Sequence, residues 1–181
     1  MWSYDLIVAS IVFITAMAIL AYFWWSARTN MSEDKEAIIR ESFKVSDALM
    51  SPGFPANWNT LVDPNDQSTW SNVQQIGLAE SWANQSLSID KVYKLAEMSF
   101  NNYSYTQSKV SPNYEFYLEF KFRNTSNNNL EQPVLLNDAA IVAGTVSTDL
   151  AKAIAKEDRI VVFDNSIVIM RLYHWSTSNI D

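Results

Sequence analysis

Residues Leu6 to Trp25 read LIVASIVFITAMAILAYFWW, twenty positions without a charge. As an α-helix at about 1.5 Å per residue this run is about 30 Å long, the thickness of a bilayer's hydrocarbon core. Its polar members, Ser10 and Thr15, suit that setting because their hydroxyls can bond back to the helix's own carbonyls. The segment is expected to enter a membrane. A cleaved secretory signal would show a basic start, an apolar stretch of roughly 7–15 residues and a small-x-small ending. Here Met1 to Asp5 contain no Lys or Arg, and the run ends on Tyr22, Phe23, Trp24 and Trp25, so a retained segment is expected. Arg28, Lys35 and Arg40 all follow the span, which leaves the positive-inside rule little to decide. Export of the remainder would need basic residues ahead of Met1. Met1 therefore reads as a processed end, the alternative being a cytoplasmic head.

Outward from this run, no Gly or Pro occurs before Pro52, so nothing stops a helix. Past Arg28 the pattern turns amphipathic: Met31, Ala37, Ile38, Phe43, Val45, Ala48 and Leu49 are apolar among charged residues, and Glu36 stands four before Arg40. Pro52 and Gly53 end it. The expectation is one helix of about 50 residues, about 75 Å long. Residues 1–28 form its hydrophobic segment, and 29–50 an amphipathic half packed on a head of residues 51–181.

In the head, residues 51–87 read as loop with short turns, rich in Pro, Asn and Asp. Ser88 is a candidate N-cap, and Val92, Leu95, Ala96 and Phe100 give a helix over 89–101. From Tyr114 the period becomes two. Phe116, Leu118, Phe120 and Phe122 face one way, and Glu115, Tyr117, Glu119 and Lys121 the other, a half-buried strand. Residues 137–146 read as a second strand region and 149–155 as a short helix. Arg159–Phe163 and Ile167–Trp175 flank Asp164-Asn165-Ser166, a tight hairpin. The fold class is α+β, with an antiparallel meander of about four strands and helices on one face.

Composition excludes several functions. The chain has 181 residues with 13 basic and 20 acidic side chains, net −7, and no basic cluster, which argues against nucleic acid. Cysteine is absent and His174 is the single histidine, so disulfides, thiol nucleophiles and multi-His metal sites are excluded. His174 reads as a packing or surface residue, and Glu115 and Glu119 as a solvated face. No nucleotide loop or nucleophile elbow is present. The chain is expected not to be an enzyme and to carry no cofactor or metal.

Several stretches resemble archaeal type IV pilin-like proteins of the class III signal peptide family. Trp2-Ser3-Tyr4-Asp5-Leu6-Ile7-Val8-Ala9 leads into the unbroken apolar run. Gly53-Phe54-Pro55-Ala56-Asn57-Trp58, Ile76-Gly77-Leu78-Ala79, the helix Lys91–Phe100 and Arg159-Ile160-Val161-Val162 follow in similar order and spacing. The resemblance covers most of the chain. It implies a basic leader removed by a prepilin peptidase, a single-pass membrane stage, and assembly by pilus machinery into an extracellular homopolymer with the helices at its core. The expected role is a structural pilin of an extracellular helical filament that serves surface adhesion. Alternatives are a single-pass anchored receptor or adhesin, or a minor pilin outside the main filament.

Burial of twenty apolar residues among copies would remove on the order of 1,500–2,000 Å² of apolar surface, tens of kcal/mol against water at about 25 cal/mol per Å². The assembly residues expected from this reading are Asp5, Leu6, Ala9, Ile11, Phe13, Ala16, Leu20 and Trp24. Asp5 either pairs with the N-terminal ammonium of an adjacent subunit or stays a solvated acid at the membrane boundary. Tyr22, Trp24 and Trp25 suit an interfacial belt or the outer part of a filament core. Asn30, Asn84, Asn102 and Asn124 each head an Asn-x-Ser/Thr sequon, a candidate glycosylation site if the head is exported.

Overall fold

The computed structural model describes residues 2–123, 131–136, 139–146, 151 and 153–176. Helix α1 runs Trp2–Leu49, and the chain divides into two units, Met1–Ala37 and Ile38–Asp181. The described part of the first unit is helix throughout. The second unit takes in the end of α1 as well as the head, so packing divides the chain ahead of the residue-50 boundary read from sequence. Ile38, Ser42, Val45, Ser46 and Leu49 are buried in this unit, and their three- and four-residue spacing puts them on one helical face. Phe43, expected among the apolar contacts, is instead exposed, with the Arg159 guanidinium 6.0 Å from its ring centre.

After α1 come α2 (Trp58–Leu61), a 3₁₀ turn (Gln67–Asn72), β1 (Ala79–Ser81), β2 (Asn84–Leu87), α3 (Ile89–Asn101) and α4 (Tyr103–Val110). The remainder is β3 (Glu115–Arg123), β4 (Glu131–Pro133), β5 (Leu135–Leu136), β6 (Ala139–Ala140), β7 (Val142–Gly144), β8 (Ala153–Phe163) and β9 (Ser166–Ser176). Seven strands form one sheet in the order β1-β2-β8-β9-β3-β4, with β7 also on β3, while β5 and β6 pair separately. All pairings in the large sheet are antiparallel except β2 with β8, which is parallel. The α+β class holds. The expected four-strand meander is smaller than the sheet observed, because the 51–87 loop contains the β1–β2 hairpin and β2 extends the sheet.

Strand β3 alternates as its sequence dictates: Phe116, Leu118 and Phe120 are buried. They join Val168, Met170 and Leu172 of β9, Val92, Leu95 and Met98 of α3, and Val45 and Leu49 of α1 in one core. Phe122, at the strand's end, is exposed. Asp164 and Asn165 have φ of 48° and 58°, the left-handed pair a two-residue hairpin turn requires. The strands it joins stay in register from Phe163↔Ser166 to Ala153↔Ser176. That register corrects the helix expected over 149–155. Residues 153–155 belong to β8, and 149 and 150 lie outside the described residues.

The 51–78 segment is anchored rather than loose. Trp58 and Trp70 are fully buried; their indole N–H groups donate to the carbonyls of Gly77 at 2.8 Å and Asp63 at 2.6 Å. Gly77 crosses so close to Ser51 and Gly53 that a Cβ there would collide with their backbone. The Gly53–Trp58 and Ile76–Ala79 stretches thus meet. Buried Lys91 donates to the carbonyls of Pro52 and Ala79, 2.9 Å each; desolvation lowers its pKa and nearby Glu80 opposes that.

Candidate functional site: the exposed apolar helix

Within α1, residues Leu6–Ser26 are long and apolar enough to span a membrane, and none of them is buried. This N-terminal helix has the length and composition of a single span or of a signal sequence. The Ser10 and Thr15 hydroxyls donate to the carbonyls of Leu6 and Ile11, 2.8 Å each. These two hydroxyls are therefore satisfied within the helix, and the other polar groups of the span, on Tyr22, Trp24, Trp25 and Ser26, lie at its C-terminal end.

Helical geometry sorts the sequence-derived assembly residues. At about 100° per residue, Leu6, Ala9, Phe13, Ala16, Leu20 and Trp24 fall within one arc of about 80°, whereas Ile11 falls on the opposite face. Leu6, Phe13 and Leu20 recur every seven residues with Ala9 and Ala16 between them. Bulky side chains beside alanine gaps form the knobs and holes that a facing helix requires. The heptad spacing was present in the sequence, though the run's uniform greasiness conceals it. The Asp5 side chain lies outside the described part of the structure.

Of the four sequons, Asn102 is the one whose side chain is described. It is half-buried, and its Oδ1 accepts from the Tyr105 N–H at 3.0 Å, capping α4. The side chains of Asn30 and Asn84 are outside the described part, and Asn124 lies outside the described residues.

The head carries a charge cluster that the sequence did not suggest. The Arg171 guanidinium, 7% exposed, forms paired hydrogen bonds with Asp158 at 2.7 and 2.8 Å, and with both carboxylate oxygens of Glu131. Lys121 lies 2.8 Å from Glu119 and 3.8 Å from Glu131. Bonds from Arg171 hold the Asp158 and Glu131 carboxyls below their ordinary values. The cluster ties β8, β9, β3 and β4 together. Glu119 and Lys121 are therefore largely covered, where a solvated face was expected. Glu115 accepts from the Tyr103 hydroxyl at 2.6 Å; burial first, and this bond second, push the Tyr103 pKa up to about 12.

Arg171→Met is expected to lower the head's stability by about 2 kcal/mol, read as a fall in urea midpoint. Removing one partner of a buried pair costs about 3–5 kcal/mol, reduced here because both carboxylates keep a third or more of their surface in water. Among the described residues no group of three or more His, Cys, Asp or Glu is placed to hold a metal. No family model, curated protein or solved structure matches the chain, so the pilin resemblance rests on the residues quoted for it.

Proposed function

We propose that this chain is a pilin-like structural subunit that polymerises through its apolar helix into a filament on the cell surface, serving adhesion. One observation carries the reading: Leu6–Ser26 is a helix with no buried residue. A helix apolar on all sides is stable in lipid or among other apolar helices. Lipid is the setting before assembly, with Tyr22, Trp24 and Trp25 at the interface. Lipid tails are as apolar as leucine, so exit from the membrane requires packing that lipid cannot match. The Leu6–Ala9–Phe13–Ala16–Leu20 seam supplies it.

In this reading the partners are other copies of the chain, the membrane, a prepilin peptidase and assembly machinery. Neither nucleic acid nor a substrate is involved. The head, with 9 basic against 14 acidic residues and net −5, keeps filaments soluble and mutually repelling.

Electron microscopy of material sheared from cells without detergent tests the proposal. Long uniform fibres with a dense axial core are expected. Particles seen only in detergent would overturn it and favour a single-pass anchored ectodomain, which the aromatic belt Tyr22–Trp25 also suits.

A further inference from the structure

The outer face of the sheet, away from the core, holds a cleft of about 310 Å³ lined by Tyr117, Glu119, Lys121, Val146, Tyr173 and Trp175. Pockets for small molecules run from about 300 to 1,000 Å³, so this one has room for a single small ring. Tyr117 and Tyr173 are cross-strand neighbours, their ring centres 6.1 Å apart and planes 38° apart. Together they present adjoining aromatic surfaces. Trp175, almost wholly covered, lies two residues along β9 on the same face, which β3 continues through Glu119 and Lys121.

We propose that this cleft binds one neutral pyranose ring. Aromatic faces bury the apolar C–H face of such a ring while leaving its hydroxyl edge open to polar partners. That edge meets Glu119 and Lys121, an acceptor and a donor held 2.8 Å apart, the arrangement that adjacent hydroxyls engage together. The Tyr173 hydroxyl already donates to Glu119 at 3.4 Å, which leaves its oxygen to accept from the ligand, and the Tyr117 hydroxyl can donate or accept. Charge selects the class: the Glu119–Lys121 pair balances itself, and Arg171 is committed to Asp158 and Glu131. An ionic ligand would bring an uncompensated charge to a partly desolvated site, whereas a neutral polyol would not. The inference does not depend on polymerisation, since every residue involved lies in the head.

The test uses the full chain in lauryldimethylamine oxide micelles, a detergent without sugar, with saturation-transfer NMR. The probes are methyl β-D-glucopyranoside and methyl β-D-galactopyranoside at millimolar concentration. Transfer concentrated on the protons of one ring face is expected for at least one probe. Tyr173→Ala should weaken that probe's binding by about tenfold or more. Val146→Trp, at a position 71% exposed, should fill the cleft and abolish binding with the near-ultraviolet dichroism of the fold retained. If Tyr173→Ala fails to fold, Val146→Trp decides. No transfer from either probe, or transfer unchanged by Val146→Trp, would each overturn the proposal.

Discussion

Filaments are expected to disappear from cells expressing Ala16→Trp while the head still folds. Ala16 lies one turn from Phe13 and Leu20 on the arc that carries the seam. An indole there closes the gap into which a neighbour's bulky residue fits. Overpacking of that kind costs about 1–3 kcal/mol at one site. In a polymer every subunit repeats the penalty and meets several neighbours, so the loss compounds. Ala9→Trp is expected to act alike, and a volume-conserving Ile11→Leu to leave filaments intact. Microscopy of sheared material gives the filament count, and circular dichroism of detergent-extracted protein reports the head. A lipid-facing alanine tolerates tryptophan, so loss of filaments with the head still folded marks Ala16 as a residue of the helix–helix interface. Normal filaments from both alanine variants would remove the seam from the proposal.

Mild acid is expected to destabilise the head by about 3 kcal/mol through His174. The residue is fully buried on the inner side of β9, across from Phe116 of β3 and Ala155 of β8, with the Tyr114 ring centre 6.5 Å away. Neither ring nitrogen has a hydrogen-bond partner among the described residues. Burial pushes its pKa down from 6.5 to about 4. Between those values the unfolded chain binds a proton that the folded chain excludes, so stability rises with pH. The contribution is full above pH 6.5 and is lost as pH falls to about 4, at about 1.4 kcal/mol per unit. Urea midpoints measured from pH 7 to 4 should show the decline. His174→Phe should flatten it and hold or raise stability at pH 7, because two unsatisfied nitrogens leave the core. A decline that persists in this variant would remove His174 as its cause. Below that window Asp158 and Glu131 take over: their pKa values are lowered, so their stabilisation is present above the ordinary carboxylate range and lost on further acidification.

What could be read from the chain follows from where the deciding interactions lie. Helix α1, helix α3, strand β3 and the Asp164-Asn165 turn are specified by periodicity or by local backbone chemistry, and each sits within a residue or so of its expected place. The start of β8 is different. Ala151-Lys152-Ala153-Ile154-Ala155 is built of good helix formers, yet 153–155 pair with Ser176, Trp175 and His174, and a partner distant in sequence overrides propensity. Helix α4 was missed because its sequence, YSYTQSKV, buries only Thr106 and Val110, too few to mark a period. The Arg171 cluster joins residues 13 and 40 positions away, beyond any motif. A cue existed in Arg171 itself: an arginine in the middle of the apolar strand Ile167–Trp175 must find carboxylates. The outer-face cleft gave no cue, since its aromatic and charged residues read singly as an ordinary polar face.

The bond from Arg159 to Ser46 spans 113 positions of chain, and β2 pairs with β8 through Ser86↔Val162, partners that are also distant in sequence. On a ribosome these partners are made far apart in time. At about 5–20 residues per second, the end of α1 waits about 5–20 s for β8 to exist. The apolar run of α1 emerges well before that, so in the proposed reading the helix meets the membrane while the head is still unfinished. Ile38, Val45 and Leu49 spend that interval without the sheet that later covers them. A chain cut short before β8 therefore leaves the apolar helix attached to a head that lacks the central strand of its sheet.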